Sequence, residues 1–130
     1  MGRTWRLLIV DDSIELLEVI RAALEPKGFE VGRASNAFAG VRIAAAHPPD
    51  AIVMDLDMPG MDGIEAMLHL KRIDATRHVP VIAFTGQSLD SIAPTARRFT
   101  RIVSKASGLE ALEREIDAVL APASREPGRV

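Results

Sequence analysis

The 130-residue chain contains no cysteine. Disulfides, thiolate metal sites and a cysteine nucleophile are therefore excluded, and the absence fits a reducing compartment. It also lacks any apolar run near the roughly 18 residues that a bilayer-spanning helix requires. Its first residues, Met1-Gly2-Arg3-Thr4-Trp5-Arg6, have neither the apolar stretch nor the small-residue cleavage site of a secretory signal. A cytoplasmic protein is expected. Charge of one sign is not in excess either: the formal net charge is −2, so no global feature points to nucleic acid or a membrane. No internal repeat is visible. What remains is 48% hydrophobic and 26% charged, an ordinary globular composition at a length that fits one domain with its own core.

Apolar patterns alternate along the chain. Leu7-Leu8-Ile9-Val10 and Ala51-Ile52-Val53-Met54 are short continuous apolar runs, as expected of strands buried on both faces. Phe29 to Arg33 is a weaker strand, Val79 to Phe84 a fourth, and Ile102-Val103 a short fifth. Between them lie helical patterns. Ser13 can cap a first helix whose inner stripe is Leu16, Val19, Ile20, Ala23 and Leu24. An alanine-rich helix runs from Asn36 to His47 with Phe38, Val41 and Ala45 inward, and a third from Ile64 to Ile73, capped by Asp62. Ser88 to Arg98 is a poor helix interrupted by Pro94, and Leu109 to Leu120 is clearly amphipathic. Residues 121–130, rich in Pro, Gly, Ala and charge, read as a flexible tail or linker stump. Five strand–helix units imply an α/β fold with a parallel, doubly wound sheet and helices on both faces. Ligands in such sheets bind at the carboxyl ends of the strands.

Those ends carry chemistry. Asp11 and Asp12 follow the first strand, Asp55 and then Asp57 the third, Thr85-Gly86 the fourth, and Lys105 the fifth. Taken singly, each has a plain explanation: an aspartate capping the next helix, a threonine in a turn, a solvated lysine. Met58 and Met61 read as loop packing. Four strand ends coinciding in one pattern favour a site. Clustered carboxylates repel unless a counter-charge is supplied, and a hard divalent cation such as Mg²⁺ supplies it through oxygen ligands while keeping waters and room for a phosphate. A lysine neutralises an anion and a hydroxyl donates to it. The set suits phosphoryl transfer onto a carboxylate, where catalysis is mostly positioning and charge neutralisation.

Over roughly Trp5 to Leu120 the sequence resembles the receiver domain of two-component response regulators. The matching segments are Leu8-Ile9-Val10-Asp11-Asp12, Asp55-Leu56-Asp57-Met58-Pro59-Gly60-Met61-Asp62-Gly63, Ala83-Phe84-Thr85-Gly86 and Val103-Ser104-Lys105. The resemblance implies residues 5–120 as a three-layer (βα)5 receiver with strand order 2-1-3-4-5. It implies Asp55 as phosphoacceptor and metal ligand. Asp12 and, in an assisting role, Asp11 would bind Mg²⁺, with the backbone carbonyl of Asp57 completing the ligands. Thr85 and Lys105 would contact the phosphoryl oxygens, and Asp57 and Gln87 sit where receivers tune hydrolysis of the aspartyl phosphate. Two positions depart from the family's pattern. Ala106 stands where receivers usually have proline after the lysine with a cis bond, and a cis bond before alanine costs about 2.5–4 kcal/mol, so a trans, reshaped loop is expected. Ile102 stands where many receivers carry the aromatic residue whose rotation reports activation, with Phe99 no obvious substitute. The usual Gly-Ala turn before the fifth strand is also missing.

The resemblance further implies a sensor histidine kinase or phosphotransfer protein as phosphodonor, a downstream protein target, and possible homodimerisation through the helix 4–strand 5–helix 5 face. Arg97, Arg98 and Arg101 are either part of a partner surface or a solvated basic face. Leu17, off the first helix's core stripe and near the acidic pair, is a candidate kinase contact. Two other classes compete: a pseudo-receiver that binds partners without being phosphorylated, and a phosphatase of the haloacid dehalogenase type, whose Asp-x-Asp nucleophile motif Asp55-Leu56-Asp57 matches. In that second family the motif normally follows the first strand, and here it follows the third.

Overall fold

Residues 4–92 and 94–125 are described by the structure, a computed structural model. Strands and helices alternate as β1 (Arg6–Val10), α1 (Ile14–Leu24), β2 (Glu30–Ala34), α2 (Ala37–Ala46), β3 (Ala51–Met54), α3 (Gly63–Arg72), β4 (Val81–Thr85), β5 (Arg101–Ser104) and α4 (Gly108–Arg125). All strand pairs are parallel and the order is β2-β1-β3-β4-β5. The register aligns Val10 with Met54, and Thr85 with Ser104. This brings Asp11, Asp55, Thr85 and Lys105 to one edge.

The central strands are apolar throughout because both their faces are covered. Leu8, Val10, Ile52, Met54, Val81 and Ala83 belong to the core on the α2–α3 side. Leu7, Ile9, Val53, Ile82 and Phe84 belong to the core formed with α1 and α4, where they meet Ile20, Leu24, Leu112 and Ile116. Burying one such side chain contributes about 1.5–3 kcal/mol. The helix starts follow local chemistry. Ser13 Oγ accepts from Leu16 N–H at 3.2 Å and Asn36 Oδ1 from Ala39 N–H at 2.7 Å. Asp62 and Glu65 form a reciprocal capping box.

The caps fall where expected, but the faces that pack on the sheet differ from the expected ones. With Ser13 as cap, α1 buries Leu17, Ile20 and Leu24. Leu17 is 4% exposed and is thus core, not a surface contact, while Val19 is 50% exposed. With Asn36 as cap, α2 buries Ala37, Gly40 and Ala44. Phe38 is therefore turned outward at 61% exposure, with the Arg42 guanidinium over its ring at 5.9 Å.

The second correction is the helix count. Among the described residues the expected fourth helix does not form. Two short 3₁₀ turns, Leu89–Ser91 and Pro94–Arg98, connect β4 to β5. Proline cannot donate to an α-helical ladder and clashes with the preceding turn, so it begins a tight turn instead of continuing a helix. Phe99 is buried beside them on the α2–α3 side, with Ile92 and Ile102 partly buried against the same core. The fold is therefore not a full (βα)5 unit, and a dimer face built on a fourth helix lacks that helix. The last helix continues past Leu120 to Arg125, into the stretch expected as tail, and residues 126–130 lie outside the described residues.

Candidate functional site

Each chemical residue sits where a buried strand ends. Asp11, 2% exposed, donates its N–H to Ala34 O at 3.1 Å, extending the β1–β2 ladder by one bond. Its Oδ1 accepts from Ser13 N–H at 2.9 Å. Asp55, 3% exposed, donates its N–H to Val10 O at 2.9 Å, and its Oδ1 accepts from Asp57 N–H at 3.2 Å. Thr85 is fully buried, and its Oγ1 accepts from Gln87 N–H at 3.0 Å. Lys105 reaches back from the end of β5: its Nζ lies 2.9 Å from Asp11 Oδ2 and 3.4 Å from Asp55 Oδ1. Asp12 is exposed at the mouth, and Asp11, Asp12 and Asp55 each bring a carboxylate oxygen within 4.8 Å of the others. Asp57 adjoins the cluster through its N–H, while its side chain turns away to accept from Gln87 Nε2 at 2.5 Å.

The electrostatics follow from crowding. Burial, and then the charge of Asp11, push Asp55 above its ordinary value of 3.8, against the pull of the Asp57 N–H and Lys105. Burial alone would lower Lys105, but its hydrogen bond to Asp11 and the charges of Asp55 and Asp11 outweigh it and raise the ammonium above 10.5. Lys105 is thus held charged, and a single cation does not neutralise three carboxylates. The donor set is all oxygen, convergent, and open on the Asp12 side. That fits a hard divalent cation such as Mg²⁺, which takes one or two carboxylates and keeps several waters.

The Lys105 loop takes the expected trans form: no peptide bond among the described residues is cis. Lys105–Ser107 makes one 3₁₀ turn, with Ser104 Oγ accepting from Ala106 N–H at 3.1 Å. Lys105 nonetheless reaches both buried carboxylates. Met58 is buried and Met61 partly buried against the core, as loop packing requires. Gly63 matters in a way that the sequence reading passed over. A Cβ there would lie 2.1 Å from the Asp55 carbonyl oxygen and 2.9 Å from Leu56 Cα. The first turn of α3 rests directly on the backbone that carries Asp55. The available signal was a glycine at the first helical position right after a capping aspartate, where any good helix former would otherwise serve.

Comparison with known proteins agrees with this geometry. The family model described as the response regulator receiver domain matches residues 7–117. The chain is similar to protein PilH of Pseudomonas aeruginosa, 36% identical over 118 residues covering 89% of this chain and 98% of that protein. It is also similar to the chemotaxis protein CheY of Bacillus subtilis, 38% identical over 98 residues covering 72% and 82%. Among solved structures it resembles the receiver domain of a Pseudomonas aeruginosa sensor histidine kinase with a magnesium ion coordinated in its active-site cleft. The TM-score is 0.80 at 26% identity, covering 92% of this chain and 99% of that one. Strand order, a carboxylate cluster at the strand ends and a match spanning most of the sequence lead to one conclusion: the chain belongs to the response regulator receiver domains of two-component signalling.

Proposed function

We propose that Asp55 is the phosphoacceptor and that this site takes its phosphoryl group from the phosphohistidine of a sensor histidine kinase or phosphotransfer protein. The observation that carries the reading is Lys105 Nζ bridging the buried Asp11 and Asp55 within a three-carboxylate cluster. Asp11, Asp12, Asp55 and the backbone carbonyl of Asp57 would hold Mg²⁺. When bound, the cation supplies charge neutralisation between the carboxylates and the phosphoryl oxygens.

The protein's own residues do the rest. An Asp55 carboxylate oxygen attacks phosphorus as the bond to the imidazole nitrogen breaks, and the departing imidazole keeps the electron pair. The Asp57 N–H on Oδ1 and the β1–β3 ladder bond to Val10 fix the direction of that carboxylate. Lys105, which Asp11 and Asp55 share at rest, turns its charge to the phosphoryl oxygens. The buried Thr85 hydroxyl donates to one of them. Phosphorylation replaces the single charge of the Asp55 carboxylate with roughly two on the phosphoryl oxygens, and movement of Thr85 and its loop toward them would alter the adjacent surface of β5 and the 3₁₀ turns, where a downstream protein would read the change. The switch catalyses only its own phosphorylation and dephosphorylation. The reading takes residues 5–120 as the receiver unit, acting in the cytoplasm, without direct nucleic-acid or membrane binding. A homodimer would use β5 and α4.

Labelling by acetyl phosphate with Mg²⁺ tests it. The wild type should take up one phosphoryl group and Asp55→Asn none; full labelling of that variant refutes Asp55. Failure of the wild type to bind beryllofluoride with Mg²⁺ would instead favour the pseudo-receiver.

A further inference from the structure

The strand ends that build the site share one local device. Asp11 Oδ1 accepts from Ser13 N–H, Asp55 Oδ1 from Asp57 N–H, Thr85 Oγ1 from Gln87 N–H and Ser104 Oγ from Ala106 N–H. In every case a side-chain oxygen takes the amide two residues on, closing an Asx or Ser/Thr turn. At β1, β3 and β4 the closing oxygen belongs to a residue that also serves the chemistry. At β5 it does not: Ser104 closes the turn and Lys105 is the residue bracketed by it. Ser104 stands opposite Thr85 in the register, so the two hydroxyl turns are neighbours.

We propose that Ser104 is a positioning residue for Lys105, its Oγ–Ala106 turn fixing the backbone from which the ammonium is aimed between Asp11 and Asp55. This rests on the reading of Lys105 given above. A lysine stem is flexible and its ammonium is a point charge without directional preference, so the aim of Nζ is set by where its Cα is anchored. The anchor is held on both sides. Ser104 is fixed in β5, Ala106 N–H is fixed by Ser104 Oγ, and the Lys105 carbonyl accepts from Gly108 N–H. The Ser104 hydroxyl is also free of any duty in the transfer. When the oxygens of Asp55 and Thr85 engage the phosphoryl group, the Ser104 turn stays closed and holds Lys105 in register with them.

The test measures phosphorylation by acetyl phosphate with Mg²⁺ in the wild type, Ser104→Ala, Ser104→Thr, Lys105→Ala and the double variant Ser104→Ala/Lys105→Ala. Ser104→Ala should lower the limiting rate about tenfold, the scale of a modest misplacement of a catalytic group. Its half-saturating Mg²⁺ and acetyl phosphate concentrations should remain close to those of the wild type. Ser104→Thr, which keeps the acceptor, should restore the rate. In the Lys105→Ala background, loss of Ser104 should have no further effect. A wild-type rate for Ser104→Ala beside a slow Lys105→Ala overturns the positioning role alone. An equal loss in both backgrounds overturns it too, since that marks a purely structural serine. A wild-type rate for Lys105→Ala defeats the reading of the site and this inference with it.

Discussion

Replacing Gly63 with alanine should damage the site out of proportion to its effect on the fold. The added Cβ would fall 2.1 Å from the Asp55 carbonyl oxygen. Ordinary contact begins at 3.4 Å, at least 1.3 Å farther out, and the obstructing atoms are backbone atoms that no rotamer change can move. Either the start of α3 lifts away or the Asp55–Leu56 peptide shifts. Overpacking of this kind costs about 1–3 kcal/mol, and alanine's better helix propensity offsets up to about 1 kcal/mol. A net loss of about 1–2 kcal/mol is expected by urea denaturation. The functional loss should be larger, because a shift of about 1 Å in a reacting group lowers a rate on the order of 100-fold. Gly60→Ala provides the control. Gly60 has φ +80° with nothing within 4 Å of its virtual Cβ, so alanine there meets only the left-handed backbone penalty of about 1–2 kcal/mol. The two variants should lose similar stability, yet only Gly63→Ala should lose most of its rate of phosphorylation by acetyl phosphate. A Gly63→Ala protein that is phosphorylated at the wild-type rate would refute the claim that this contact sets the position of Asp55.

Other perturbations follow from burial and charge. Asp55 is raised above 3.8 by burial and by Asp11, so without Mg²⁺ its charged form destabilises the fold at neutral pH. As pH falls through the raised folded-state value toward 3.8, the folded state binds more protons than the unfolded one and this contribution to stability increases. Asp55→Asn should therefore stabilise the metal-free protein at pH 7 by about 0.5–2 kcal/mol and remove that part of the pH dependence, as thermal melts across pH would record; a destabilised variant would contradict it. The acid limb of the wild-type phosphorylation rate should lie above the ordinary carboxylate value at low Mg²⁺ and move down as Mg²⁺ is raised, and an immobile limb would argue that the titrating group is not a metal ligand. In α1, Leu17→Ala should cost about 2–5 kcal/mol and Val19→Ala less than about 1 kcal/mol; the reverse order would mean that Leu17 is not on the packed face of the helix.

The sheet and the site were legible in the sequence for the same reason. Strands covered on both faces must be continuously apolar, so their ends are sharp, and the residues just past Val10, Met54, Phe84 and Val103 could be read as a set before any contact was known. Helix phase was less legible. Leu16, Leu17, Val19 and Ile20 offer two overlapping apolar stripes under the same Ser13 cap, and only the way α1 lies over the sheet selects Leu17 for burial. Phe38 misled in the same way. Its size argues for the core, but α2 buries the small residues Ala37, Gly40 and Ala44 instead. The β4–β5 connection reads in sequence as a weak helix interrupted by Pro94; that its described residues form only 3₁₀ turns depends on how far Phe99 and Ile92 cover the sheet without a helix, a tertiary fact. The contact of Gly63 with Asp55 also lies beyond sequence, since it needs the path of the loop between them.

The stability effect at Asp55 and the proposed affinity for a divalent cation would have a common origin. Three carboxylates face one lysine within the cluster, which leaves about two uncompensated negative charges when all are ionised. That imbalance bears on folding through Asp55, whose ionised form burial and the charge of Asp11 disfavour. It is also the charge that a divalent cation cancels. Binding to the folded state alone adds about 2.7 kcal/mol of stability at a concentration 100 times the dissociation constant, and part of that gain is relief of the repulsion that Asp55→Asn would relieve by itself. The two stabilisations must therefore overlap: the variant gains less from Mg²⁺ than the wild type does, and the shortfall measures how strongly Asp55 is coupled to its neighbours. Lys105 limits the imbalance at rest without abolishing it. A second fixed cation would give a more stable domain, but one with a weaker hold on the metal and, with its carboxylates fully compensated, less reason to respond when a phosphoryl group arrives.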